Sequence, residues 1–172
     1  MSPDSLDFAL LAARVWIAVV IFMHGWRHFG ALRSGPGMAS WFESLGLKPG
    51  WLHAQMVTFT ELSLPVLLVL GFLTPLAYGG VCALMVVALV TNHFKNGFYL
   101  DTSTEGYEYV ATVAVVSIVL GTVGPGEWSL DHAADLTFPF DPAQALLVTA
   151  LVGIGGAVAF LVTFWRPPRS TA

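Results

Sequence analysis

The residues of this sequence whose types and placement could do chemistry are ionisable side chains lying in or at the ends of long apolar runs: Arg14, His24, His28, Glu61, His93 and Glu108. A charged group near the centre of a bilayer costs roughly 2.5–3.5 kcal/mol even on the lenient insertion scale, so it needs a partner and is a functional candidate by default. Arg14 lies ~12 Å into the first apolar run and Glu61 ~13 Å into the second from the opposite side, at 1.5 Å per residue. Across a core of ~30 Å these depths differ by about 5 Å, and the two are expected to pair near the midplane. Pro65, four residues after Glu61, has no N–H for the Glu61 carbonyl and predicts a kink there. A bare carbonyl beside a carboxylate is tolerated in a membrane only against protein or a wet cavity, which points to a small internal pocket.

A second polar layer gathers at the ends of the runs. The first ends His24-Gly25-Trp26-Arg27-His28, the third ends Asn92-His93-Phe94-Lys95-Asn96, and the fourth begins Glu105-Gly106-Tyr107-Glu108-Tyr109. On a helical wheel Arg14, Gly25 and His28 share a face, His24 is ~80° away and Arg27 points roughly opposite. Antiparallel packing would bring His28, His93, Glu61 and Glu108 into one half of a bundle. Such a set could relay protons, neutralise a bound anion, hydrogen-bond a quinone headgroup or hold a metal. His24 and His28 at i, i+4 suit iron, manganese or zinc. The Glu-x-x-His signature of four-helix carboxylate sites is missing, however, and neither a metal nor haem is expected. Cys82 stands alone, which excludes dithiol exchange, and Ser63 and Ser117 have no base at a recognisable spacing.

These groups must be positioned by membrane helices. Of the 172 residues 56% are hydrophobic and 10% charged, with a mean hydropathy of +0.73, whereas a soluble domain carries about a quarter charged residues. Seven Lys and Arg against eleven Asp and Glu leave no basic surface for nucleic acid. A soluble enzyme, a disordered chain and a disulfide scaffold are likewise excluded. Five runs are long and apolar enough to span: about Leu6–Phe29, Leu52–Leu73, Leu76–Phe94, Tyr107–Val123 and Ala143–Trp165. Breakers separate them at Gly35-Pro36-Gly37, Pro49-Gly50, Thr74-Pro75, Gly124-Pro125-Gly126 and Pro139-Phe140-Asp141-Pro142. The first run has no basic n-region and no cleavage pattern, so it is expected to be retained.

The expected fold is therefore an all-α membrane protein, a single domain over residues 1–172. It comprises an antiparallel four-helix bundle plus a fifth, C-terminal transmembrane helix, about 143–165. Arg27, Arg33, Lys48, Lys95, Arg166 and Arg169 fall on one side of this arrangement, which predicts an outside N-terminus and a cytoplasmic C-terminus. The acidic Glu127, Asp131, Asp135 and Asp141 would then face outward. In the first loop Met38, Trp41, Phe42 and Leu45 recur at i, i+3, i+4 and i+7, the stripe of a short amphipathic helix at the surface or beneath the bundle. Ser129 is a plausible N-cap for a turn at Ser129-Leu130-Asp131-His132. Gly153, Gly155 and Gly156, with Ala150, Ala157 and Ala159, give the last helix a small face for close packing or a subunit contact.

Several of these features together resemble the DoxX family of small bacterial membrane proteins built on a four-helix bundle. They are Arg14, the His24-Gly25 step with a basic residue three places on, Glu61 followed by Leu70-Gly71-Phe72-Leu73-Thr74-Pro75, Gly106-Tyr107-Glu108-Tyr109, and Gly124-Pro125-Gly126 leading to Ser129-Leu130-Asp131. The resemblance covers about residues 8–135. His28 stands where such proteins often carry Lys, and the fifth span lies outside the common core, where it is expected to dock a partner or a second copy. The resemblance implies a multi-pass protein of the bacterial cytoplasmic membrane, in contact with lipid and with other membrane subunits or its own copies. It also implies a place in a redox, respiratory or oxidative-stress assembly, with a quinone or another small molecule as the guest of a polar intramembrane cavity; if the chain is an enzyme, it acts as a quinone-linked oxidoreductase within a complex. The alternatives are a proton-coupled exporter using Arg14, Glu61 and Glu108, and a structural anchoring subunit.

Overall fold

Apolar periodicity interrupted by Gly and Pro produces long helices joined by tight turns in the computed structural model, which describes residues 3–101, 105–136 and 141–168. Arg169 and the Pro139-Phe140 step lie outside the described residues. The helices are α1 (Pro3–Arg33), α2 (Gly37–Ser44), α3 (Gly50–Leu70) and α4 (Thr74–Ala88), then α5 (Glu108–Val123), α6 (Leu130–Ala133), α7 (Pro142–Ala150) and α8 (Gly156–Phe164). A π-helical turn, Leu89–His93, and a 3-10 turn, Phe94–Asn96, prolong α4, and a second π-helical turn, Leu151–Gly155, joins α7 to α8. Among the described residues there is no strand beyond isolated bridges at Leu47–Trp165 and Leu100–Glu105.

Among the described residues four helical runs are long and apolar enough to cross a membrane: Asp4–Arg33, Gly50–Leu70, Thr74–Asn96 and Pro142–Phe164. The remaining long helix, α5, is apolar but has 16 residues, a rise of ~24 Å. It is bounded by the bend at Tyr107 and by Gly124, whose φ of 92° halts the helix.

The turn between α3 and α4 shows how local chemistry sets the bundle. Gly71 closes α3 in the left-handed region with φ 60°, and Phe72 N–H reaches back to Leu67 O at 2.9 Å while Gly71 N–H reaches Leu68 O at 3.1 Å. That is a Schellman pattern, and it needs a residue without a Cβ penalty. Leu73, also left-handed at φ 50°, precedes Pro75 in the first turn of α4, where a missing N–H costs nothing.

Helices α1 and α3 lie antiparallel, Gly25 facing Glu61 and Arg14 facing Gly71. The contact at Gly25 is close: a Cβ there would stand 2.9 Å from Glu61 Cβ and 3.1 Å from Glu61 O. Pro65 removes the helical donor to that same carbonyl. Ile17, Ile21, Leu64, Leu68, Tyr78, Val81 and Val113 form the buried core shared by α1, α3, α4 and α5. The α7–α8 run lies alongside α4 and α5, with Gly79 against Val152 and Gly153 against Cys82 on α4 and Gly121 of α5 against Thr149. The small face expected to serve packing or a subunit contact is thus used, at Gly153, inside the molecule. The amphipathic stripe of the first loop is α2, with Met38, Phe42 and Leu45 buried and Trp41 exposed. It packs with Leu47 and Ala54 against Phe160, Phe164 and Trp165.

Candidate functional site

Polar side chains collect in two layers, one toward the α6 end of the bundle and one toward the α2 end. In the α6-end layer Arg14, 1% exposed, donates from its guanidinium to Leu68 O at 3.4 Å and Trp128 O at 2.5 Å. Asp131, also buried, accepts from Leu73 N at 2.8 Å and Thr74 N at 2.9 Å. A cation therefore meets the carbonyl end of α3 and an anion meets the N–H end of α4, the signs that helix dipoles favour. Asp7 adds a third tie, accepting from Glu127 N at 2.8 Å. Ser129 caps α6 as expected, accepting from His132 N at 3.2 Å. Buried Asp131 is a clamp within the fold instead of an acidic group in an open outer loop.

Arg14 does not pair with Glu61. The two are separated along α1 by the eleven residue steps from Arg14 to Gly25, the residue that Glu61 faces, a rise of ~16 Å. Taking the ends of the apolar runs as the membrane boundaries misplaced them, because α1 is 31 residues long and begins and ends beyond its apolar segment. The partner of Glu61 is His28, whose Nδ1 stands 2.5 Å from Glu61 Oε2.

That pair borders a cavity of about 750 Å³ at the α2 end, lined by residues of α1, α2, α3, α4, α5 and α8. Four histidines line it, His24, His28, His53 and His93, with Glu61, Glu105 and Tyr109. The remaining wall is largely apolar, including Met56, Leu84 and Phe160, and Trp41 and Phe42 of α2 form one side. Tyr109 stacks on His24 with ring centroids 5.8 Å apart, its hydroxyl 3.5 Å from His24 Nε2. His93 is carried on the π-helical turn that ends the α4 run, a form found often at functional sites. Its Nδ1 lies 2.7 Å from Glu105 O, and Asn92 Nδ2 donates to Glu105 Oε2 at 3.1 Å.

Of the six residues singled out in the sequence, His24, His28, Glu61 and His93 meet at this cavity. Arg14 belongs to the other layer, and Glu108 is absent from the lining, its place taken by Glu105 and Tyr109, which flank it in sequence. Arg27, expected on the opposite face of α1, also borders the cavity. His53 was not foreseen. Its signal was present in the spacing, since it precedes Glu61 by eight residues, which leaves the two ~80° apart on one helix. Among the described residues no three His, Cys, Asp or Glu side chains form a group that could hold a metal ion.

A cavity of this size falls in the range of small-molecule sites, which are apolar with a few convergent polar groups. Imidazoles, a phenol and a carboxylate can donate to, accept from and exchange protons with an oxygen-bearing ring. The DoxX family model matches residues 9–94, which runs from α1 to the turn that carries His93. No curated protein and no solved structure matches the chain.

Proposed function

This chain belongs to the DoxX family, and from that membership together with the α2-end cavity we propose that it is the membrane subunit of a redox or respiratory assembly and binds a quinone-type molecule in that cavity. The observation that carries the reading is the convergence of four histidines, Glu61 and Tyr109 on one largely apolar space of about 750 Å³. Histidine N–H groups and the Tyr109 hydroxyl suit the carbonyl oxygens of a quinone, and the apolar wall suits its ring and tail. The His28–Glu61 pair is a proton-bearing group beside the ring, where reduction of a quinone would require protons.

The same reading places the protein in the bacterial cytoplasmic membrane, with α5 as a fifth, short span, the N-terminus outside and the C-terminus in the cytoplasm. Arg27, Arg33, Lys48, Lys95 and Arg166 then lie on the cytoplasmic side, as the positive-inside rule favours. The partners are other subunits of the assembly or further copies of the chain. The purified protein in nanodiscs should raise its melting temperature on addition of decylubiquinone, and His24→Ala combined with His93→Ala should abolish the rise. Absence of any shift or of any saturable binding with the unaltered protein would remove the quinone reading.

A further inference from the structure

His53 poses a problem that the fold alone does not solve. It is 2% exposed, yet neither ring nitrogen has a hydrogen-bond partner. In either neutral tautomer one nitrogen donates and the other accepts, so a fully packed imidazole leaves two unmet groups, an arrangement native proteins avoid. The ring stands edge-on to Phe160 and Phe164, with centroids 5.4 Å and 5.2 Å away. A water molecule would need two to four polar partners to be held there, and these phenyl rings supply none. His53 also lines the cavity, so its ring borders the space that an occupant would fill.

Position along α3 indicates which occupant. From His53 to Glu61 the helix rises ~12 Å, and both side chains border the same cavity. Two hydrogen bonds of ~2.8 Å plus the oxygen-to-oxygen span of a 1,4-quinone come to about 11 Å, close to that rise. We propose that His53 is the second polar anchor of the cavity, and that the ligand is a neutral ring bearing oxygen atoms at opposite edges, one meeting His53 and the other the His28–Glu61 pair. The class is a 1,4-quinone or its hydroquinone, held across its width between two poles of α3, with the phenyl edges of Phe160 and Phe164 against one end. This rests on the reading of the cavity as a quinone site and adds how the ring is oriented and which residue selects the para arrangement.

The test uses the full chain in nanodiscs with decylubiquinone as the probe, binding being followed by quenching of tryptophan fluorescence, since Trp41 borders the cavity. His53→Phe keeps an aromatic ring in the recess and removes both polar atoms. It should weaken binding about tenfold while the melting temperature without probe stays equal or rises. His53→Gln, which restores a donor and an acceptor, should recover much of the affinity. In the unaltered protein the imidazole nitrogen signals of His53 in 15N spectra should move when the probe is added. Binding by His53→Phe within twofold of the unaltered protein, or His53 signals that stay put while the probe binds, would overturn the anchor and leave the quinone site standing. Failure of the unaltered protein to bind the probe would overturn both. Were His53→Phe not to fold, His53→Gln and the nitrogen spectra would decide.

Discussion

Each charge buried in the helices has a separate physical reason to be there. Glu61 is tied to His28 and sits at a cavity, whereas Arg14 serves carbonyls at the α3–α4 turn and the segment before α6. Groups this far apart should act independently, so in denaturant unfolding the losses from Arg14→Gln and Glu61→Gln should add to within ~0.5 kcal/mol. A cycle between His28→Gln and Glu61→Gln should instead show a coupling of about 1 kcal/mol. Asp131→Ala removes the acceptor for two N–H groups at the start of α4 and should cost about 2 kcal/mol, with decylubiquinone affinity unchanged. His24, His28, His93 and Glu61 were legible in the sequence because ionisable residues in apolar runs stand out by cost alone, whereas His53 was not singled out. The choice of partner was not, because it depends on helix register, and register comes from contacts such as Gly25 on Glu61 that no spacing announces.

Among the elements, the long helices and α2 followed from periodicity and from the Gly and Pro positions, and their ends moved by only a few residues. The π-helical turns at Leu89–His93 and Leu151–Gly155 had no such signal, since a single wider turn leaves the apolar pattern nearly intact. Yet the first of them carries His93 at the wall of the cavity. The close contact between α1 and α3 gives a direct check. Gly25→Ala would press a methyl onto Glu61 at 2.9–3.1 Å and should destabilise by about 1–3 kcal/mol. Gly30→Ala, on the same helix with nothing within 4 Å, should be neutral or stabilising by up to ~1 kcal/mol. Melting of both variants side by side separates crowding from helix propensity.

For the molecule as a whole, α1 starts at the α6 end and α8 finishes at the α2 end, where Trp165 Nε1 donates to Leu45 O and Arg166 N–H to Gly46 O, each at 2.9 Å. On the five-span reading proposed above, these two ends lie on opposite sides of the membrane. A cysteine at Ala133 should therefore react with an impermeant thiol reagent in intact cells and one at Ser44 should not; labelling in the reverse order would invert the orientation. The clasp at Leu45 and Gly46 also bears on how the protein is made. The helix run that fastens α2 and contributes Gly156, Ala157 and Phe160 to the cavity follows all its other lining residues in chain order, whereas the stretch matched by the family model ends at residue 94. In the folded chain this run supplies the neighbours of Gly79, Cys82 and His53, namely Val152, Gly153 and the Phe160 and Phe164 rings. The cavity is thereby completed in chain order, its α8 side being made after the sides supplied by α1 to α5.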